Sequence, residues 1–373
     1  MIPGSGLRVL MTTDTVGGVW VYSSALARSL AHRGVDVVLV TLGPAPRHDR
    51  ILALQNVPNL QFEITDFSLE WLDPEDGDFE RTRRGLEAVA RRLAPDLVHL
   101  NGYREALVHW GVPVLVVAHS CVRSWWLACR GEEPKEARWL TYVANVSAGL
   151  AAADRWAAPT AAFRNQVQAL YAPPMSGTVV HNAVGEQIEP NEKERFILAA
   201  GRLWDEAKNV MALASAAAHV NWPVRLAGET GALQRFPHVE FMGELPRGEL
   251  LDAMARASVF VAPALYEPFG LGVLEAALAG CALVLSDIPS FRELWTDAAL
   301  FVDPHDPRAL AAALGRVCAD ADLRGTLQQV ARRRACRYPL SDMVDAYWGL
   351  YGNLLRTSAP THRSKQTALE HCA

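Results

Sequence analysis

The chain of 373 residues is longer than one hydrophobic core usually serves, and two domains of roughly 150–200 residues each follow from that length. Half of the residues are hydrophobic and 21% are charged, which excludes a disordered or fibrous chain. The 36 Lys and Arg against 41 Asp and Glu leave a formal charge of −5, so a general nucleic-acid binder is excluded and phosphate chemistry must rest on a few placed cations.

Apolar runs of strand length alternate with helix-period segments from the start, the pattern of a parallel sheet covered by helices. Residues 7–11 read as the first strand. A helix is expected over 18–32, where Leu26 and Leu30 share a face, and Gly34 ends it ahead of a strand at 35–42. Strands follow at 60–64, 97–100, 114–118, 156–158 and 178–181, with helices over 79–93, 136–153 and 161–170. These complete an N-terminal domain over residues 1–184. The polar stretch 185–194, with a proline and no apolar periodicity, reads as an interdomain linker. A second series fills a C-terminal domain over 195–338: strands at 196–200, 224–227, 239–241, 259–262 and 282–286, helices over 210–220, 247–257 and 271–279. Within 339–356, Met343, Ala346, Tyr347, Leu350, Tyr351 and Leu354 recur at helical spacing, and 357–373 reads as a flexible tail. The expected fold class is α/β: two tandem Rossmann-like, doubly wound domains with a cleft between them.

The run 264–280, Ala-Leu-Tyr-Glu-Pro-Phe-Gly-Leu-Gly-Val-Leu-Glu-Ala-Ala-Leu-Ala-Gly, carries the most chemistry. It follows a strand and, past Pro268, becomes a helix whose first turn holds Gly270 and Gly272. Small residues there let backbone N–H groups approach a ligand, and the unpaired amides and dipole of a helix N-terminus favour a diphosphate. Glu267 and Glu275 flank that turn and suit the hydroxyls of one elongated ligand. A capping acid and a solvated helix face would explain either glutamate alone, but not the whole run. Gly270-x-Gly272-x-x-Glu275 imitates a dinucleotide fingerprint with glutamate in place of the third glycine, which disfavours NAD. Gly17-Gly18 opens a helix after the first strand and suits a second set of backbone donors. Arg202 and Lys208, in Gly201-Arg-Leu-Trp-Asp-Glu-Ala-Lys-Asn209, fall at the carboxyl end of a strand, where two cations would neutralise a leaving diphosphate. Surface salt bridges to Asp205 and Glu206 are the bland alternative. His119 follows the strand at 114–118 and points into the same cleft from the opposite wall.

Together these residues resemble glycosyltransferase family 4, the large retaining group with the GT-B fold. The resemblance covers nearly the whole chain and is most specific at Glu267-Pro-Phe-Gly-Leu-x-x-x-Glu275, with support from Gly201-Arg202, Lys208-Asn209 and Gly17-Gly18. It implies that Arg202 and Lys208 hold the donor diphosphate, and that Glu267 and the amides of Phe269, Gly270 and Leu271 contact donor sugar and phosphates. It further implies that Glu275 binds the ribose, that His119 sits beside the donor sugar, and that the Gly17 and Gly18 amides lie near the phosphate. The segment 339–356 becomes a crossover helix packed on the N-terminal domain. No metal and no cofactor are implied; a nucleoside diphosphate sugar is the co-substrate. Two departures stand out: Ala282-Leu283 where the family usually has Pro, and Ala183-Val184 where Gly, Val and Asp are common.

The activity expected is retaining, metal-independent transfer of a hexosyl group to a hydroxyl acceptor. A sugar-nucleotide epimerase would share the cleft, and a non-catalytic nucleotide-sugar binder would lack the reason to keep Arg202, Lys208, Glu267 and Glu275 together. The acceptor should be read by loops at 12–16, 43–49, 69–78 and 101–104. Six cysteines scattered without a C-x-x-C pair suit a reducing cytoplasm, and residues 1–11 do not read as a secretory signal. The segment 120–139 mixes Trp125, Trp126 and Trp139 with Arg and Lys, a composition suited to an anionic membrane surface on the cytoplasmic face. Glu132, Glu133 and Glu136 dilute that charge, and a helix with its tryptophans packed inward is the favoured reading.

Overall fold

The computed structural model describes residues 6–231 and 235–358. Seven strands make the first sheet: β1 (Arg8–Asp14), β2 (Asp36–Leu42), β3 (Leu60–Ile64), β4 (Leu97–Leu100), β5 (Val114–Val117), β6 (Arg155–Ala158) and β7 (Thr178–Val179), in the order β3-β2-β1-β4-β5-β6-β7. Six make the second: β8 (Glu194–Ala200), β9 (Val224–Ala227), β10 (Val239–Gly243), β11 (Ala257–Ala262), β12 (Ala282–Ser286) and β13 (Leu300–Val302), in the order β10-β9-β8-β11-β12-β13. The strand pairs are parallel in both sheets, with Met11 opposite Leu39 and His99, and Leu198 opposite Arg225 and Phe260.

Helices cover both faces, so the central strands are buried twice over and read as continuous apolar runs. Along β1, Val9 and Met11 enter one core with Leu26 and Leu30, while Leu10 enters the other with Val98 and Val116. Strand order reverses between β1 and β4 and again between β8 and β11. Open α/β sheets bind ligands outside the carboxyl ends of their strands at such reversals. The loops leaving β1, β4, β8 and β11 are therefore the ones this topology brings to the cleft.

The helix expected within 120–139 spans Val122–Arg130, while helices at Pro289–Trp295, Pro307–Ala319 and Ala321–Ala335, and strand β13, go beyond the elements read from the sequence. Local caps make two of them: Asp306 accepts from the amides of Arg308 and Ala309 ahead of Pro307, and Asp320 accepts from Leu323. The three tryptophans of 120–139 pack inward: Trp126 is buried, and Trp125 and Trp139 lie against the first core. The nearby cations are spent on glutamates, Arg123 on Glu133, Lys135 on Glu132 and Arg138 on Glu136. Among the described residues no helix is long and apolar enough to cross a membrane.

The stretch read as a polar linker is in fact fastened to the second sheet's core. Ile188 is buried there, as is Val184 just before the stretch, and the Lys193 ammonium donates to the carbonyls of Ala255 and Ala279 at 2.7 and 2.6 Å. Its composition hid this because one apolar contact carries no period. The last of the described helices, Leu340–Ser358, returns to the first sheet and buries Met343, Val344, Tyr347, Tyr351 and Leu354 beside Val9, Met11 and Leu26. It continues through Thr357 and Ser358; the remainder of the expected tail, 359–373, lies outside the described residues.

Tyr351 fixes that return, since its hydroxyl meets Nδ1 of the fully buried His99 on β4 at 2.7 Å. Tyr351→Ala removes a buried ring and strands His99, and is expected to cost about 4 kcal/mol in a denaturant titration. A loss below about 1 kcal/mol would show that the docked helix is dispensable.

Candidate active site

All ten residues expected to form the site line one cavity of about 1020 Å³ between the two sheets. Gly17 has φ +89°, where L side chains are strained, and a Cβ there would lie 3.6 Å from Nη1 of Arg202. A Cβ on Gly18 would lie 3.6 Å from Cδ1 of Leu271. The amino ends of the helices Gly18–His32 and Leu271–Leu278 thus face each other across the cleft, and neither is capped by a side chain. Gly270 is also left-handed, at φ +87°, with Phe291 3.0 Å from where its Cβ would be. Two sets of helix-end amides therefore look onto one volume, which suits an anion.

The charged groups come from the loops after β8 and β11. Lys208 Nζ meets Glu267 Oε2 at 2.7 Å, both partly exposed. Arg202 meets Asp205 at 3.1 Å, so the salt bridge expected as the bland alternative forms for Arg202 but not for Lys208. Two bonds weld the loops: Leu265 N donates to Ala207 O at 2.9 Å, and the Asn209 side-chain Nδ2 donates to Pro263 O at 2.9 Å. Contacts from the first sheet's side hold the same loop. Thr160 Oγ1 donates to Pro268 O at 2.9 Å, and Glu293 accepts from the amides of Ala161 and Ala162 at 2.8 and 2.7 Å. The ring of Phe269 is buried in the second core against Tyr338, leaving only its backbone for a ligand.

His119 lies opposite, its ring 4.5 Å from that of Tyr22 in an edge contact and its Nε2 2.8 Å from Asn101 Oδ1. The Asn101 amide nitrogen donates to Thr12 O at 2.7 Å, so its oxygen faces the histidine as an acceptor and Nε2 carries the proton. Nδ1 is left with a lone pair. Burial pushes the His119 pKa down to about 3, so the ring stays neutral at pH 7.

Glu275 is buried and does not stand alone. Arg247 donates to it at 2.7 Å and to Glu186 at 3.1 and 3.2 Å, joining the helix Leu271–Leu278 to the linker. Burial raises the Glu275 pKa against the opposing pull of Arg247. No spacing signal could have found Arg247, because the pairings span 28 and 61 residues of sequence.

The match with known proteins follows the two sheets. The profile described as Glycosyltransferase Family 4 covers residues 16–187, and that of Glycosyl transferases group 1 covers 183–334. The chain belongs to this family of glycosyltransferases. It is 28% identical to a D-inositol 3-phosphate glycosyltransferase of Acidothermus cellulolyticus over 97% of this chain and 90% of that protein. It is 25% identical to a glycogen synthase of Mycobacterium tuberculosis over 88% of this chain and 90% of that one. Among solved structures, a sucrose-phosphate synthase from Thermosynechococcus elongatus shares the fold with a TM-score of 0.79 at 19% identity, over 94% of this chain and 100% of that one. Anabaena Alr3699/HepE, solved with UDP-glucose, has a TM-score of 0.74 at 15% identity over 93% and 100% of the two chains. These neighbours carry the GT-B architecture.

Asp14, at the carboxyl end of β1 and three positions before Gly17, lies in the loop 12–16 expected to read the acceptor, but no role was singled out for it in the sequence. Its Oδ1 accepts from Val16 N at 2.5 Å and its Oδ2 from the Trp71 indole at 3.3 Å. Burial pushes its pKa from the ordinary 3.8 up to about 6, outweighing those bonds and the fields of Arg202 and Arg50. A raised carboxyl pKa means that the folded state keeps a proton the unfolded chain has lost. Asp14 therefore subtracts stability as pH rises from about 4 through about 6. Asp14→Asn should raise the unfolding free energy at pH 7.5 by at most about 3 kcal/mol and leave it unchanged at pH 4. Equal gains at both pH values would mean that the carboxylate is not desolvated.

Proposed function

We propose that the transferase moves a hexosyl group from a nucleoside diphosphate sugar to a hydroxyl acceptor, with retention at the anomeric carbon and without a metal ion or cofactor. The observation that carries this reading is the convergence of Arg202, Lys208 and two uncapped helix amino ends on one cavity. Charge that develops on a departing diphosphate is met there by fixed donors that need no reorganisation. Lys208 can give one of its three N–H bonds to Glu267 and turn the others to phosphate oxygens. Glu267, held in place by that bond, has remaining lone pairs for donor hydroxyls.

His119 offers a neutral acceptor nitrogen to a sugar hydroxyl from the opposite wall, and Glu275 with Arg247 suits the ribose. Retention follows from a same-face displacement: the acceptor oxygen bonds to the anomeric carbon as the bond to the diphosphate breaks. The departing phosphate oxygen takes the hydroxyl's proton. The protein then supplies positioning and charge stabilisation.

Lys208→Ala should lower kcat by 10²–10³-fold, about 3–4 kcal/mol of barrier. It should change the unfolding free energy by no more than about 1 kcal/mol, since the pair it breaks is partly wet. Turnover at the wild-type rate would overturn the role. The product's anomeric proton coupling should report the donor's configuration, and EDTA should leave turnover unchanged; an inverted product or loss of activity on chelation would overturn the corresponding claims.

A further inference from the structure

Three buried polar atoms on residues that line the cavity have no hydrogen-bond partner among the described residues: Ser24 Oγ, Arg28 Nε and Asn182 Oδ1. Ser24 and Arg28 are four residues apart on the helix Gly18–His32 and so share a face. Asn182 belongs to the segment that enters the linker, and the linker lies against that same helix: a Cβ on Gly185 would stand 3.0 Å from the Cβ of Ala25. Glu186, the next residue, is close enough to Arg28 to feel its charge. Burial raises the Glu186 carboxyl, yet its bonds to Arg247 and the charges of Arg247 and Arg28 bring it below the ordinary carboxylate value. Arg28, Glu186, Arg247 and Glu275 thus form a chain of alternating charge on the cavity wall.

Resting on the proposed transfer from a nucleoside diphosphate sugar, we propose that Arg28, with Ser24 and Asn182, reads the donor's ribose diol from the first sheet's side and so selects ribonucleotides over deoxyribonucleotides. Each hydroxyl of a vicinal diol both donates and accepts. The three atoms offer the matching set: Arg28 Nε–H donates, the Asn182 oxygen accepts and the Ser24 hydroxyl does either. A phosphate is a poorer fit, because the carboxylates of Glu186 and Glu275 balance the guanidinium groups of Arg28 and Arg247, and Glu275 is only 3% exposed.

Position along the helix decides which part of the donor is met. At a rise of about 1.5 Å per residue, Ser24 and Arg28 lie about 9 and 15 Å from the amino end at Gly18. With the diphosphate seated between the two helix amino ends, Ser24 and Arg28 stand a nucleoside's length away, on the side of Glu186 and Glu275. The ribose then touches both halves of the molecule, Glu275 from the second and Arg28 from the first. A deoxyribose would leave Arg28 Nε or Asn182 Oδ1 buried and unpaired. A site built for a hydroxyl rejects the analogue that lacks it for that reason.

The test titrates UDP, GDP and ADP into the full chain by calorimetry and compares the diphosphate that binds with its 2′-deoxy and 3′-deoxy forms. The wild type should bind the ribonucleotide about tenfold tighter than both deoxy forms. Arg28→Met keeps the apolar stem and removes the Nε–H; it should raise the ribonucleotide Kd about fivefold and leave the Kd of one deoxy form unchanged within roughly twofold, which also verifies folding. Ser24→Ala removes a hydroxyl that bonds nothing among the described residues, so the fold loses no bond with it. It should raise the ribonucleotide Kd about threefold with the same pattern, and decides the matter by itself if Arg28→Met does not fold. Equal wild-type affinity for ribose and deoxyribose forms, parallel losses for both forms in the variants, or an unaltered ribonucleotide Kd in the variants would overturn the assignment. Failure of all three diphosphates to bind would instead strike the nucleotide-sugar chemistry on which it rests.

Discussion

Lys208 and Glu267 meet at 2.7 Å between two loops that leave neighbouring strands at the point where the second sheet reverses direction. An ion pair this exposed adds no more than about 1 kcal/mol to stability. Its importance is geometric. The cation and the carboxylate hold one another at the cavity wall, and each keeps hydrogen-bonding capacity for a ligand. The surrounding backbone makes that possible: Asn209 adopts a left-handed conformation and ties its loop to Pro263 and Pro304, while Ser290 Oγ donates to Glu267 O at 2.5 Å.

The second sheet's half of the site would be an open surface without the first. Thr160 and Glu293 form a reciprocal joint, since one donates to the carbonyl just after Glu267 and the other caps the helix that Thr160 begins. Tyr266 reaches across to Cys121 N and Ser124 Oγ at 3.2 and 2.8 Å, and Trp125 to Asp205 at 2.9 Å. These bonds adjoin the reacting region on both sides of Glu267. They are polar and few, a kind of contact that domains within a chain can make and break.

A buried aromatic group underlies the first sheet's contribution. His99, Tyr22, Tyr347 and Tyr351 pack ring against ring, and Tyr22 in turn bears on His119. The helix Leu340–Ser358 thus takes part in holding the histidine at the cavity wall, although it begins more than two hundred residues later.

Strand and helix assignments were legible because doubly covered parallel strands have to be apolar runs, and amphipathic helices have to repeat every three to four residues. That the paired-glutamate run, the glycine turns and the Arg202 and Lys208 loop share one cavity wall was legible too, since loops at the carboxyl ends of neighbouring parallel strands come together where strand order reverses. Arg247 bridging Glu186 and Glu275, Glu293 capping a helix of the other half, Asp14 desolvated beside Trp71, and the linker's anchoring through Ile188 and Lys193 were not. Each is a contact between residues far apart in the chain, with no period or motif to announce it. Sequence patterns encode what the backbone does within a few residues; which charges are paired, buried or left free for a ligand is decided only when distant loops are brought together and water is excluded.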